Sequence, residues 1–127
     1  MKKELEKIKR ILKSKSYIEF SYLFGSQARG QANNRSDWDI AVYLNKEPKK
    51  LPAWTVFSLE AEISREIGKE VQIIALNSVD SPVLIFEILK DSIIIVDNNP
   101  DERVVFEAKA LSKYHDYQYY LKRQMAG

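Results

Sequence analysis

Two carboxylates stand two residues apart in the segment Asp37-Trp38-Asp39. In an extended strand, side chains two apart share a face, so both would project side by side. Carboxylates that close repel, and one takes up a proton unless a cation intervenes. A hard divalent ion is the usual solution, and Mg2+ favours one or two carboxylates with substrate phosphates completing its sphere. Ten residues separate Asp37 from a second feature, Gly25-Ser26, which ends an aromatic run. A strand that ends in glycine and serine and turns into a short helical stretch offers N–H groups, a hydroxyl and no Cβ, the makings of an anion cradle. Arg29 follows one turn later, where it could pair with a phosphate or form a structural salt bridge to a nearby aspartate. A phosphate cradle and a carboxylate pair on adjacent strands describe a metal–nucleotide site.

These residues need strands to position them, and the sequence supplies the strands. Residues 18–24 (Ile-Glu-Phe-Ser-Tyr-Leu-Phe) are aromatic-rich and β-prone, and residues 37–44 place Ile40, Val42 and Leu44 on one face. The dozen residues between them are long for a hairpin, and a long connection in a small domain is usually functional. Around this pair, Leu5, Ile8, Ile11 and Leu12 predict a surface helix over 4–14. Lys46 to Pro52 is a polar loop. Val56, Leu59, Ile63 and Ile67 predict a helix over 53–67 that Gly68 stops. Residues 71–76 form an apolar strand, Ser81-Pro82 opens a short helix to Lys90, and residues 93–96 form another strand. Asn99-Pro100-Asp101-Glu102 starts a last helix reaching about Leu121. The alternation predicts an α/β (α+β) fold: one domain over residues 1–127, a small mixed twisted sheet with helices packed on it.

Composition narrows the chemistry. The 127 residues are 45% hydrophobic, and 20 Lys and Arg stand against 18 Asp and Glu, a net charge of +2. That balance fits no polybasic nucleic-acid coat, so direct nucleic-acid binding is not expected. With no cysteine and one histidine, the chain has no disulfide, thiolate zinc, cysteine nucleophile or multi-histidine metal site. No apolar run approaches a membrane span, and Met1-Lys2-Lys3-Glu4 opens no signal peptide, so a soluble cytoplasmic protein is expected.

Gly-Ser, ten residues, then Asp-x-Asp resembles the signature of the DNA polymerase β-like nucleotidyltransferase superfamily. The wording Gly25-Ser26-Gln27-Ala28-Arg29-Gly30 and the short chain resemble its minimal (MntA-type) members, antitoxins paired with HEPN-domain toxins. The resemblance implies that Gly25 and Ser26 bind the triphosphate of ATP, with Arg29 in a phosphate or structural role. It implies that Asp37 and Asp39 hold two Mg2+ ions around the α-phosphate. It also implies transfer of AMP to a tyrosine of the HEPN toxin, a partner protein that presents the acceptor. In the superfamily a third carboxylate on a later strand helps hold the catalytic metal. Here Gln72 stands at the expected position, with Glu70 one pleat away, roughly 7 Å along the strand, so the third metal contact falls to Gln72 or Glu70. A neutral amide there opens one alternative, an antitoxin that neutralises by binding alone. A separate alternative is a nucleotidyltransferase acting on a small molecule, against which the lack of a second substrate domain argues unless a dimer supplies one.

Other residues have plainer expectations. Trp38, between the aspartates, points to the opposite face and should pack in the core. His115 should lie at a surface. The tyrosines Tyr114, Tyr117, Tyr119 and Tyr120 form a dense cluster on the last helix, divided between core packing and an interface. The lysines of residues 2–15 make a solvated face.

Overall fold

The computed structural model describes residues 2–31, 37–46 and 48–126. Residues 32–36 of the long connection and Glu47 of the polar loop lie outside the described residues.

Helix α1 (Lys2–Lys13) leads into strand β1 (Ile18–Phe24), the four-residue helix α2 (Gly25–Ala28) and strand β2 (Trp38–Leu44). Helix α3 (Thr55–Ile67), strand β3 (Val71–Ala75), helix α4 (Pro82–Leu89), strand β4 (Ile93–Asp97) and the 27-residue helix α5 (Pro100–Ala126) complete the order. Short 3-10 turns at Pro48–Lys50 and Leu76–Ser78 join these elements.

The four strands make one mixed sheet in the order β3-β2-β1-β4. β1 runs antiparallel to both β2 and β4, and β2 runs parallel to β3. The mixed sheet with packed helices is the predicted architecture. Its two faces follow from the alternation of each strand. On one face, Trp38, Ile40, Val42 and Leu44 of β2 and Val71 and Ile73 of β3 meet Ile8, Ile11 and Leu12 of α1 and Leu59 and Ile63 of α3. On the other, Phe20 and Tyr22 of β1 and Ala41 of β2 pack with Leu76, Ile88 of α4 and Phe106 of α5. Phe20 stacks on Tyr43, and both touch Phe106.

Local sequence signals close most helices. Ser81 Oγ accepts the Leu84 N–H at 3.2 Å, with Pro82 in the first helical position. Asn99 Oδ1 accepts the Glu102 N–H at 3.2 Å, while the Glu102 carboxylate accepts from Asn99 Nδ2 at 3.1 Å, a reciprocal cap. Gly68, in the left-handed region at φ 68°, ends α3 with its N–H on the Ser64 carbonyl at 2.8 Å. Most elements differ from expectation by one or two residues at an end, α1 beginning at Lys2 and α3 at Thr55 among them, and three boundaries matter here. β3 stops at Ala75, because Leu76 enters a 3-10 turn whose Asn77 side chain clasps both backbone groups of Leu44. β2 begins at Trp38, leaving Asp37 just ahead of it. α5 runs on to Ala126, past the predicted stop near Leu121, since neither glycine nor proline interrupts it before Gly127.

Candidate active site

Trp38 decides where the aspartates point. Its indole is buried in the core under α1 and α3. An aromatic of this size buries about 150–250 Å2, and a one-residue slip would exchange it for carboxylates in that core. The register is therefore held, and Asp39 projects from the opposite face with Ala41 and Tyr43, at the end of the sheet.

β1 delivers the other half. Phe24 is the register partner of Asp39 across the antiparallel pair, so the chain leaves β1 beside that carboxylate. It turns there through Gly25, at φ 75°, into α2. A Cβ placed on Gly25 would collide with the Asp39 carboxylate oxygen and lie 3.2 Å from its Cγ. The positive φ favours glycine, and at this close approach any side chain would displace the Asp39 carboxylate. Ser26 follows in the first turn of α2. Gln27 is buried beneath it. Arg29 closes the turn, its N–H on the Gly25 carbonyl at 3.2 Å and its Nε on Gln31 Oε1 at 3.2 Å.

The electrostatics agree with the geometry. Burial raises the Asp39 carboxyl above its ordinary value, and the negative charge of Asp37 raises it further, while Arg29 pulls it back down. Asp37 and Arg29, both exposed, therefore lie close enough to act on Asp39.

β3 supplies the third position. In the parallel pair, Gln72 is the register partner of Asp39, and Gln72 shares its face with Ile74, which packs on the same side of the sheet as Ala41. Gln72 is exposed beside Asp39. Glu70 precedes β3, where its carbonyl accepts the Trp38 N–H at 3.0 Å. It lines a groove with Phe57, Glu60, Ala61 and Ser64 of α3. The structure thus gathers Gly25, Ser26, Arg29, Asp37, Asp39 and Gln72, and sets Glu70 in the α3 groove.

Among the described residues no three His, Cys, Asp or Glu side chains converge as a metal cluster. Two carboxylates, one of them held against its tendency to ionise, with a neutral amide alongside, still suit Mg2+, which draws its remaining ligands from phosphates and water. A protein cage for a tightly held ion is not what these residues build.

Sequence reasoning missed a polar chain on the same sheet face. The Tyr22 hydroxyl donates to Glu107 Oε2 at 2.7 Å, and Arg103 bridges Glu107 at 3.0 Å and Asp97 at 2.7 Å. Tyr22 is diagonal to Asp39 across the β1–β2 pair. The spacing of Arg103 and Glu107, four apart on a helix, was the available signal.

Comparison with known proteins identifies the family. The profile of the family described as Polymerase beta, Nucleotidyltransferase matches residues 6–101. The protein adenylyltransferase MntA of Aphanizomenon flos-aquae is 28% identical over 109 residues, covering 80% of this chain and 72% of the relative. The candidate protein adenylyltransferase MJ0128 of Methanocaldococcus jannaschii is 32% identical over 91 residues, covering 72% of this chain and 90% of the relative. Among solved structures, a toxin–antitoxin with AMP-PNP superposes with a TM-score of 0.79 at 24% identity, over 96% of this chain and 95% of that one. At that identity the likeness speaks for the fold. The profile match spans most of the chain and takes in every residue gathered at the end of the sheet: the chain belongs to the polymerase β nucleotidyltransferase family.

Proposed function

We propose that this chain is a Mg2+-dependent protein adenylyltransferase that transfers AMP from ATP to a tyrosine hydroxyl of a HEPN-type toxin, acting as its antitoxin. The observation that carries the reading is the contact of Gly25 with Asp39. A backbone turn without a side chain lies directly against a carboxylate whose neighbour is a second carboxylate. Such an arrangement admits phosphate oxygens at the glycine and a cation at the acids. The relatives support the reading by name, as protein adenylyltransferases. A structural neighbour of the same fold is an MNT antitoxin in complex with a tri-AMPylated Shewanella oneidensis HEPN toxin.

The residues would divide the work as follows. Gly25 and Ser26 seat the triphosphate at the start of α2, and Arg29 offsets its charge. Asp37 and Asp39 would hold Mg2+, which when bound polarises the α-phosphate and steadies the leaving pyrophosphate. The acceptor oxygen forms a bond to the α-phosphorus as the bond to pyrophosphate breaks, and the hydroxyl proton leaves to solvent or to a carboxylate. Gln72, beside Asp39, offers a carbonyl oxygen or an amide N–H and no base. A tyrosine, whose hydroxyl is far more acidic than an alcohol's, places the smallest demand on a base at that position.

Gln72 also favours a second reading, in which the fold binds nucleotide and neutralises the toxin by occupying its surface alone. The two are separated by expressing the chain with its toxin and measuring the intact mass of the purified toxin. Whole AMP increments on the toxin, absent when Asp37→Asn and Asp39→Asn are combined, establish transfer. An unmodified toxin that is nevertheless neutralised, equally by the double variant, establishes binding alone.

A further inference from the structure

We propose that the second half of α5 is the docking surface for the partner protein, which seats an apolar helical face with an acidic rim along Tyr114, Tyr117 and Leu121. The inference rests on the partner reading above and adds where the partner sits.

At 100° per residue, Arg103, Phe106, Glu107 and Ala110 form one stripe on α5. This stripe is the one the domain covers. Phe106 packs on the sheet, Ala110 is buried, and Arg103 and Glu107 reach Asp97 and Tyr22. The same spacing continues through Tyr114, Tyr117 and Leu121. Tyr114 still finds a neighbour, stacking on Phe86 of α4 with centroids 3.8 Å apart. α4 ends at Leu89 after only eight residues. Beyond Tyr114 the stripe runs on past it, and Tyr117 and Leu121 are exposed along with Tyr119, Tyr120 and Met125. Sixteen residues from Leu111 to Ala126 extend about 24 Å. A helix that only covered its own sheet would have no reason to carry the apolar period this far.

Two features select the occupant. Residues 109–126 hold Lys109, Lys113, Lys122 and Arg123 against Asp116, so this half-helix is more positive than the whole chain. Lys113 and Lys122 flank the stripe on either side by the same helical geometry. Two copies of such a helix would repel, whereas a partner with acidic side chains around an apolar face is attracted and oriented. The period also distinguishes the partner class. A continuous i, i+3, i+4 stripe matches helix-in-groove packing, while nucleic acid needs separate stacking platforms along a basic groove. At its near end the stripe joins a cavity of about 320 Å3 between α4 and α5, with Phe86, Ile94 and Leu111 on its apolar side and Lys90, Arg103 and Glu107 on its polar side. Such a cavity is a socket for one partner side chain, the usual companion of an aromatic anchor.

The test uses the full chain and a purified HEPN-type partner toxin, with affinity followed by titration and fold by circular dichroism. Tyr117→Glu combined with Leu121→Glu is expected to weaken the complex at least a hundredfold while leaving binding of a fluorescent ATP analogue unchanged. Ser112→Glu, on the opposite side of α5, should change it less than threefold. Lys113→Glu with Lys122→Glu should slow association and remove most of its salt dependence. Retention of the complex within threefold by both double variants overturns the proposal and leaves the partner reading intact. A wild-type chain that binds no toxin overturns both. A wild-type homodimer that the Tyr117 and Leu121 changes dissociate overturns it in favour of a second copy. Single-stranded RNA that binds the wild type alone, with the toxin complex unaffected, overturns it in favour of nucleic acid.

Discussion

Replacing Gly25 with alanine tests the built site at its narrowest point. The residue sits at φ 75°, where a side chain costs about 1–2 kcal/mol through its clash with the following carbonyl. The new methyl would also meet the Asp39 carboxylate oxygen and lie 3.2 Å from Cγ and 3.4 Å from Cβ of the same residue. Overpacking of this kind costs about 1–3 kcal/mol, so the total is about 2–5 kcal/mol by these two terms. Gly68 separates them. Its φ is 68°, and a methyl there meets nothing within 4 Å. Gly68→Ala should therefore lose only the first term. At roughly 4 °C per kcal/mol for a chain of this size, Gly25→Ala should melt several degrees below Gly68→Ala. The difference should vanish when both are made in an Asp39→Ala background, because the colliding atoms are gone. Activity follows the same geometry: a carboxylate pushed aside by on the order of 1 Å loses about a hundredfold in rate. Equal melting temperatures for the two alanine variants, with transfer intact in Gly25→Ala, would refute the close approach and the site built on it.

Three further outcomes follow from the same geometry. Because burial and Asp37 raise the Asp39 carboxyl, the folded chain holds a proton that the unfolded chain has already lost. In chelator, stability should fall as pH rises through the window from about 3.9 to the raised folded value and stay lowered above it. Asp39→Asn should melt higher than the wild type at neutral pH, with the gap closing in acid, and Mg2+ should raise the melting temperature of the wild type only. Gln72→Asp sets a third carboxylate beside Asp39, so it should lower stability in chelator and tighten Mg2+ binding, read by thermal melts across a Mg2+ titration. Arg103→Met leaves the partly buried Asp97 carboxylate without its cation and Glu107 with only the Tyr22 hydroxyl, and should cost about 2 kcal/mol by chemical denaturation, part of it recovered by adding Glu107→Gln.

Much of this was legible in the sequence because the signals were local and redundant. The Asp-x-Asp pair sat at a strand start, and Trp38 between the two acids announced which face was core. Gly25-Ser26 ended a β-prone run, so the turn out of β1 was read from those letters. The mixed sheet followed from the alternation of elements. What was not legible depended on contacts between distant segments. Gln72 was read at the third position, but that it and not Glu70 stands opposite Asp39 is a property of β2–β3 pairing. The 3-10 turn that ends β3 depends on the Asn77 clasp of Leu44. Glu70 shares a strand face with Gln72 only if β3 begins early, and the chain instead turns it toward α3. The tyrosine cluster divided as its periodicity, extended along α5, would have shown: Tyr114 stacks on Phe86, while Tyr117, Tyr119 and Tyr120 are exposed.

In the proposed function, Asp37 and Asp39 serve phosphoryl chemistry on a protein acceptor. The most direct measurement incubates the purified chain with Mg2+, ATP labelled at the α-phosphate and the cognate toxin, then resolves the products on a denaturing gel. Label should appear on the toxin band, dependent on Mg2+ and absent with Asp37→Asn and Asp39→Asn together, in a variant that remains folded. Label that persists in that double variant, or a toxin that stays unlabelled while bound in a stable complex, would contradict it.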